Sequence, residues 1–218
     1  MARPTLMDPH RGEARTRLLD AARDVIRAKG YAATTVDDLC REAGVTKGAF
    51  FHHFENKEAL GVAVAEDWNA EATALFAAGR YHELGDPLER VLGYIAYRKE
   101  LIAGELAEFT CLAGTMLQEV YDSSPPLREA CARGILDNAA ALEADIAEAM
   151  SLHGAVGEWT AQSLARYLQA VIQGSFIMAK ATGDPETARE GLDHLARYVE
   201  LLFPCPASTR VPEQRMPH

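Results

Sequence analysis

The stretch from Thr34 to Leu60 constrains the fold most strongly, because it holds two short helical patterns separated by a glycine. Thr35 is suited to cap the first helix, since its hydroxyl can accept a hydrogen bond from an unpaired N–H of the first turn. Gly44 stands where the chain must turn sharply and a side chain would clash. Between these two signals the apolar residues share one helical face, at Val36, Leu39, Cys40 and Ala43.

A second short helix is predicted directly after the glycine. Thr46 is placed to cap a helix from Lys47 to about His53, and Asn56 to cap a third helix that begins at Lys57. A short helix, a glycine-containing turn and another short helix form the helix-turn-helix unit, whose second helix enters the major groove of DNA. The pattern therefore predicts a DNA-binding segment close to the N-terminus.

The segment from Arg15 to Leu60 closely resembles the N-terminal DNA-binding domain of the tetracycline-repressor (TetR) family of bacterial transcription regulators. Three strings carry the resemblance: TRLLDAARDVIRAKGY, TTVDDLCREAGVTKGAFFHHF and NKEAL. The remainder of the chain is similar to that family only in its helical style and its length. The resemblance implies a ligand-responsive, sequence-specific regulator, most often a repressor in this family, that binds a palindromic operator in double-stranded DNA as a homodimer.

The resemblance also implies which residues contact DNA. The positions on or near the surface that reads the bases are Thr46, Lys47, Gly48, Ala49, Phe50 and His52. The positions that bind phosphates are Phe51, His53 and Lys57, and Thr35 is the cap that points at the DNA backbone. The family usually has tyrosine where this chain has Phe51, so a phosphate-binding hydroxyl is missing at that position.

The chemistry of these residues suits the implied roles. Lys57 supplies positive charge, and threonine hydroxyls and helix N-termini bind phosphate oxygens. Gly48 and Ala49 let the backbone approach the bases, where the methyl group of Ala49 could contact a thymine methyl.

Some of these residues have a competing interpretation. Core packing is the favoured alternative for Phe50 and Phe54, because the segment has few other aromatic side chains. His52 and His53 are adjacent, so they point to different faces of a helix and are not expected to bind a metal. We expect no cofactor. The four cysteines, Cys40, Cys111, Cys131 and Cys205, are far apart in the sequence and form no C-x-x-C pair. We therefore predict that they are reduced thiols and form neither a disulfide nor a zinc site.

The net charge of the whole chain is −10, which by itself disfavours DNA binding. The charges are, however, unevenly distributed along the chain. Residues 1–60 hold 10 basic and 9 acidic residues, whereas residues 61–218 hold 12 and 23. The acidity therefore lies outside the predicted DNA-binding segment, as in a nucleic-acid-binding module joined to a second domain. No apolar run approaches the ~18 residues of a membrane span, and the N-terminus has no apolar signal segment. We expect a cytoplasmic protein without membrane contact.

The rest of the chain predicts only helices. Periodicity and capping signals place them at about 12–29, 57–78, 86–102, 106–121, 127–152, 158–182 and 185–203, with no β-alternation of useful length. The predicted class is all-α, with an N-terminal three-helix helix-turn-helix domain and a larger helical domain for ligand binding and dimerisation. We divide the chain into a DNA-binding domain with a mobile N-terminal arm, a ligand-binding and dimerisation domain, and a flexible tail, at residues 1–56, 57–204 and 205–218.

The helix predicted over 158–182 is apolar nearly all round, so each of its sides must be buried. Ala170, Gly174 and Met178 recur at four-residue spacing, where a neighbouring backbone could approach closely. We expect a two-fold interface between subunits that also uses Leu195, Val199 and Leu202 of the last helix. Such a dimer would let two recognition helices read a palindrome.

The family keeps a pocket for a small-molecule effector between its middle helices. Aromatic and polar residues of the middle and late segments are the candidates for lining it here: Trp68, Tyr94, Tyr97, Phe109, Cys111, Met116, Gln118, Gln173 and Phe176. Core packing is the alternative for each of them. Tyr97, Gln118 and Gln173 stand out, because a polar group on an apolar face needs a partner.

Two other functions compete with a ligand-responsive regulator. An architectural DNA-binding protein would use the same domain without an effector, and its binding would be largely independent of sequence. An all-α enzyme or carrier is the third possibility, but the chain has no glycine-rich phosphate loop, His-Glu-x-x-His helix or readable Ser/His/Asp arrangement. We therefore predict a protein that is not an enzyme. The identity of the effector, the operator, and whether the ligand releases or strengthens DNA binding remain open.

Overall fold

A computed structural model describes residues 9–203, with side chains from residue 13 onward. Within that range the chain forms helices and no strand, which confirms the all-α class. A 3₁₀ turn at Arg80–Glu83 precedes the fifth helix. The α-helices are α1 (Pro9–Lys29), α2 (Val36–Ala43), α3 (Lys47–His53), α4 (Lys57–Ala77), α5 (Pro87–Glu100), α6 (Leu106–Phe109), α7 (Leu112–Val120), α8 (Pro125–His153), α9 (Ala161–Thr182) and α10 (Pro185–Leu202).

The predicted capping signals of the helix-turn-helix are confirmed. The Thr35 hydroxyl accepts a hydrogen bond from the Asp38 N–H at 3.1 Å, and the Asp38 carboxylate accepts from the Thr35 N–H at 3.1 Å. Thr46 and Asn56 cap α3 and α4 in the same way, through the N–H groups three residues on. Gly44 ends α2 with φ of 62°, in the left-handed region that favours glycine.

One predicted helix is wrong in its extent. The helix predicted over 106–121 is two helices, because Thr110 and Cys111 are extended, with ψ of 152° and 119°. The Cys111 thiol then caps α7 by accepting a hydrogen bond from the Gly114 N–H at 3.3 Å. A short polar side chain that competes for backbone N–H groups can interrupt a helix in this way. The first helix also begins earlier than predicted, at Pro9, and α9 begins later, after the Thr160 cap.

Two hydrophobic cores hold the helices together. The first contains Leu18, Leu39, Phe50 and Leu60 from α1–α4, and it continues into α7 and α8 through residues such as Met116. The second lies among α5, α8, α9 and α10. We call α1–α3 and the start of α4, to Val64, the head, and the remaining helices the body. Because the first core is completed by α7 and α8, the head is seated directly on the body.

The predicted divisions at residues 56 and 204 remain predictions. Residues 1–8, which make up most of the proposed mobile arm, lie outside the described residues, as does the proposed tail at 205–218. Within residues 9–203, no helix combines the length and the apolar character needed to cross a membrane.

Candidate functional site

The recognition helix α3 presents a short row of exposed residues on the head. Thr46, Lys47, Gly48 and His52 are exposed, and the Phe51 side chain is 56% exposed. Ala49 is half-buried, and its N–H is held by the Thr46 hydroxyl at 3.1 Å. The exposed side of α3 and its cap therefore consists of one cation, small residues and the two aromatic rings of Phe51 and His52.

Phe50 does not belong to this exposed row, which corrects its placement on the reading surface. Its side chain is 0% exposed and packs against Phe54, with ring centroids 5.9 Å apart. The alternative of core packing is therefore the right one for both residues. Phe50 supports α3 from beneath, because its ring anchors the short helix to α1 and α2.

Lys47 stands at the first position of α3 with its ammonium paired to Asp37. The distance between Nζ and Oδ1 is 2.6 Å, and both side chains are 62% exposed. This hydrogen bond raises the pKa of Lys47. An exposed ion pair of this kind contributes little to stability, so Lys47 can leave Asp37 at small cost.

Gly48 is a glycine that the fold does not require. It lies in α3, and an added Cβ would contact only the Thr46 hydroxyl oxygen, at an ordinary distance of 3.7 Å. The absence of a side chain leaves the start of the recognition helix open to a base edge. Gly44 differs, because its positive φ makes the glycine structural.

Lys57 and Thr35, which were predicted to bind phosphates, already form hydrogen bonds within the protein. The Lys57 ammonium donates to the carbonyl oxygens of Tyr31 and Thr34 at 3.0 and 2.9 Å, and burial lowers its pKa. It lies over the Tyr31 ring, so it fastens the loop between α1 and α2. The Thr35 hydroxyl donates to the Asp38 carboxylate at 2.8 Å. His53, at the end of α3, is half-buried.

A cavity of about 400 Å³ lies in the body, with lining residues from α4, α5, α6, α7, α8 and α9. We call it the main cavity. Five of the nine predicted pocket residues line it: Trp68, Phe109, Cys111, Gln173 and Phe176. Side chains that the sequence did not indicate complete the wall, including Asn69, Phe76, Arg98, Asn138 and Gln169.

The other four predicted pocket residues lie elsewhere. Met116 is 0% exposed in the first core and does not line the main cavity. Gln118 donates to the Gly114 carbonyl at 3.1 Å and lines a smaller cavity of about 240 Å³ beside α7. Tyr97 packs edge-on against Phe76, with ring centroids 6.2 Å apart. Tyr94 is buried behind the wall, at 2% exposure.

Arg98 is the cation among the wall residues that the sequence did not indicate. It follows the buried Tyr94 by four residues, so it lies on the inner face of α5. That spacing was the available signal, because a cation in register with buried residues is unusual on an amphipathic helix.

The predicted dimer interface needs a correction in α10. Leu195 and Val199 are 2% and 0% exposed, because they fill the second core of their own subunit. Leu202 is half-buried. Met178 and Ala170 are exposed on α9, and nothing approaches a Cβ added to Gly174. The exposed apolar residues that accompany them on α9 and α10 are Tyr167, Ile177, Tyr198 and Leu201.

Helix α7 connects the main cavity to the head. Cys111 and Ala113, at its start, line the cavity. Glu119, near its end, accepts hydrogen bonds from the backbone N–H groups of Tyr31 and Ala32, at 3.0 and 2.6 Å. Glu119 thereby joins α7 to the loop that leads into α2.

Models of known protein families match both the N-terminal and the C-terminal part of the chain. A family model described as bacterial regulatory proteins of the tetR family matches residues 18–64, and one described as a tetracyclin repressor-like C-terminal domain matches residues 87–195. The second match covers a segment that the sequence analysis related to the family only by its helical style.

Similar proteins align along almost the whole chain. The HTH-type transcriptional repressor DhaR from a Mycobacterium species is 27% identical over 195 residues, covering 89% of this chain and 94% of that protein. The HTH-type transcriptional repressor NemR from Escherichia coli is 25% identical over 191 residues, covering 86% and 94%.

Two solved structures share the fold. The crystal structure of a TetR-family transcriptional regulator from Agrobacterium tumefaciens has a TM-score of 0.78 at 22% identity, covering 89% of this chain and 100% of that one. Reduced NemR from Escherichia coli has a TM-score of 0.76 at 24% identity, covering 89% and 99%.

Proposed function

The chain belongs to the TetR family of bacterial regulatory proteins, and we propose that it is a repressor that binds a palindromic operator as a homodimer and is released by a small molecule. A DNA-binding regulator agrees with the similarity to repressors along most of the chain. Such a protein would act in the cytoplasm, where bacterial DNA lies. The proposed operator contacts are the exposed residues of α3.

The contrast between the two sides of α3 carries this proposal. Phe50 is fully buried and fixes the helix, whereas Lys47, Gly48 and Phe51 are exposed. A helix of only seven residues needs such an anchor to hold its position. Its exposed side bears a charge for phosphate and a bare backbone for base edges, as recognition in the major groove requires.

The exposed face of α9 and α10 supports the homodimer. Met178 and Ile177 are 54% and 48% exposed on α9, and Tyr198 of α10 packs on Tyr167 of α9, with ring centroids 5.1 Å apart. A continuous apolar face of this kind is typical of a protein interface. Gly174 and Ala170 would let a second α9 approach closely, and two heads related by a two-fold axis would meet two half-sites.

The connections between head and body support release by a ligand. Helix α4 belongs to the head core at Leu60 and Val64 and lines the main cavity from Trp68 to Phe76. Helix α7 spans from the cavity to Glu119 and the loop after α1. A ligand that moves either helix changes the orientation of the head, and so the spacing of two recognition helices in a dimer.

Binding to the DNA upstream of the protein's own gene tests the proposal, with unrelated DNA of equal length as the reference at fixed near-physiological salt. We expect selective binding by a dimer, and Lys47→Ala should weaken it roughly tenfold, because a charge next to the phosphates is lost. Lys99→Ala is the matched control, since Lys99 pairs with Asp193 in the body. Fluorescence anisotropy gives both affinities.

The outcomes separate the competing functions. Equal and strongly salt-dependent binding to both DNAs would favour an architectural protein. An unchanged affinity of Lys47→Ala for DNA would contradict the placement of α3. If neither DNA is bound selectively, selection from randomised DNA decides between a distant operator and a different function.

A further inference from the structure

The main cavity contains a cation that no described carboxylate neutralises. Arg98 lines the cavity from α5 and forms no ion pair within residues 13–203. Its Nε–H donates to the Tyr94 hydroxyl at 3.0 Å, and Nη2 donates to the side-chain amide oxygen Oε1 of Gln169 at 3.4 Å. A guanidinium has five N–H groups, so three of them have no partner in the described part of the chain.

The neighbours of Arg98 hold its guanidinium in one position. The group lies over the Phe76 ring, 4.3 Å from the centroid. Tyr94 and Gln169 are 2% and 3% exposed, and the Gln169 amide also donates to the Tyr94 hydroxyl, at 2.9 Å. Buried partners with mutual hydrogen bonds pre-organise a binding group and reduce the entropy lost when a ligand binds.

The surroundings of Arg98 favour one negative charge on the ligand. Most of the cavity wall is apolar, and a half-buried charge in such a site is costly unless it is paired. Arg98 is the one cation among the described residues that line the cavity, so one carboxylate finds a cationic partner on the wall. Arg27 does not line the cavity, and its guanidinium lies over the Trp68 ring, 4.9 Å from the centroid. The planar guanidinium matches a carboxylate through two parallel hydrogen bonds.

Two acidic residues also line the cavity, and each is already engaged. Glu71 pairs with Arg23 at 2.8 Å, and the Glu108 carboxylate accepts the Glu105 N–H at 2.8 Å. Both are exposed to solvent, which screens their repulsion of an anion. Gln173, by contrast, has a carboxamide without a hydrogen bond among the described residues, so it is a second polar group available to the ligand.

We propose that the main cavity binds a small monocarboxylate with an apolar tail. Arg98 binds the carboxylate, and Trp68, Phe109 and Phe176 enclose the tail. A volume of about 400 Å³ is near the lower end of the range for ligand cavities, ~300–1,000 Å³. The inference rests on the proposed function, because it names the chemical class of the effector.

Calorimetry with matched pairs of ligands tests the inference. The probes are linear and phenyl-substituted monocarboxylic acids, from hexanoate to 4-phenylbutyrate, each with its uncharged amide. We expect some acids to bind the intact protein at least roughly tenfold more tightly than their amides. Arg98→Gln should abolish this preference and Arg98→Lys should retain part of it. Arg133→Gln, which removes a surface guanidinium paired with Glu66, is the matched control and should bind like the wild type.

A measurement without ligand separates recognition from structural support. In Arg98→Met the Tyr94 hydroxyl keeps its hydrogen bond from Gln169, whereas the buried side-chain oxygen of Gln169 loses its hydrogen bond from Arg98. Removal of an unpaired cation from an apolar site offsets this loss. We therefore expect a Tm close to that of the wild type. A Tm several degrees lower would make Arg98 a structural residue and overturn the inference, as would equal affinity for acids and amides or no binding of either.

Operator affinity, measured in the same samples, distinguishes this inference from the proposed function. Acids that bind through Arg98 and leave DNA binding unchanged would support the inference and contradict release by the ligand. Neutral molecules that bind the cavity and release DNA would support the proposed function and contradict the inference.

Discussion

The recognition surface, by which we mean the exposed residues of α3 and its flanking caps, is built differently from the main cavity. Every residue of the recognition surface comes from the segment between Thr35 and Lys57, and three side-chain caps and one left-handed glycine set its path. The main cavity is lined from Trp68 to Phe176, by helices that are distant in the sequence. The difference shows that a surface can be encoded by local signals, whereas a cavity depends on how remote helices pack.

The same contrast holds between neighbouring residues. Phe50 and Phe51 are chemically identical, yet Phe50 is 0% and Phe51 is 56% exposed. A seven-residue helix has one buried side, so a step of one position moves a side chain from the core to the surface.

The largest effect is expected from Phe50→Ala. Loss of a fully buried aromatic ring should lower the free energy of unfolding by about 3–5 kcal/mol, because the cavity left behind cannot collapse fully. Phe51→Ala should change it by less than about 0.5 kcal/mol, as is usual for exposed positions. Urea denaturation of both variants measures the difference, and similar losses would contradict the assignment of Phe50 to the core.

The next largest effect concerns two residues that the sequence pattern assigned to one interface. Met178→Glu places a charge on the exposed face of α9 and should raise the dimer dissociation constant about 100-fold, while the subunit stays folded. Leu195→Ala should leave the dimer affinity unchanged but destabilise the subunit by about 2–5 kcal/mol, since Leu195 lies in its own core. Sedimentation and thermal unfolding give the two quantities, and a stable dimer of Met178→Glu would place the interface elsewhere.

Gly48→Ala should change stability and DNA affinity in opposite directions. The fold leaves room for a methyl group, so the variant should be more stable by up to about 1 kcal/mol, because glycine loses more backbone entropy on folding. The methyl group would separate α3 from the bases and should weaken operator binding roughly tenfold. Denaturation and anisotropy test both changes. Weaker binding with lower stability would indicate a structural role for Gly48.

The smallest effect is expected from Phe51→Tyr. The added hydroxyl would restore a hydrogen bond to a DNA phosphate and tighten operator binding about fivefold, equivalent to about 1 kcal/mol. Stability should not change, because the ring is largely exposed. Phe50→Tyr is the control, since a hydroxyl buried without a partner should cost about 1–3 kcal/mol of stability and should not improve binding.

Much of the head was predictable because its signals are short-range. The caps at Thr35, Thr46 and Asn56 each act on an N–H group three residues on, so the sequence alone places them. The engagement of Lys57 was not predictable, because its partners, Tyr31 and Thr34, lie across the α1–α2 loop. The break before Cys111 was missed for a related reason, since apolar periodicity continues across it.

The body was less predictable, because α9 is apolar on more than one side and both α8 and α10 pack on it. For Leu195, Val199 and Met178 the helical pattern is the same, and only the packing of α10 on α9 decides which of them stays exposed. For Met116 and Phe176 the choice between core and cavity wall depends on where α7 and α9 are seated. Arg98 lines a cavity only because the other helices of the body supply the remaining walls.

The sequence by itself therefore determined the all-α class, the helix-turn-helix with its caps and turn, and membership of a family of DNA-binding regulators. Those features rest on hydrogen bonds and periodicities within a few residues. Only the tertiary structure decided which apolar sides are covered, how α7 joins the cavity to the head through Glu119, and that an unneutralised guanidinium faces the cavity. Burial and charge pairing depend on residues brought together from distant parts of the chain, and no local pattern specifies them.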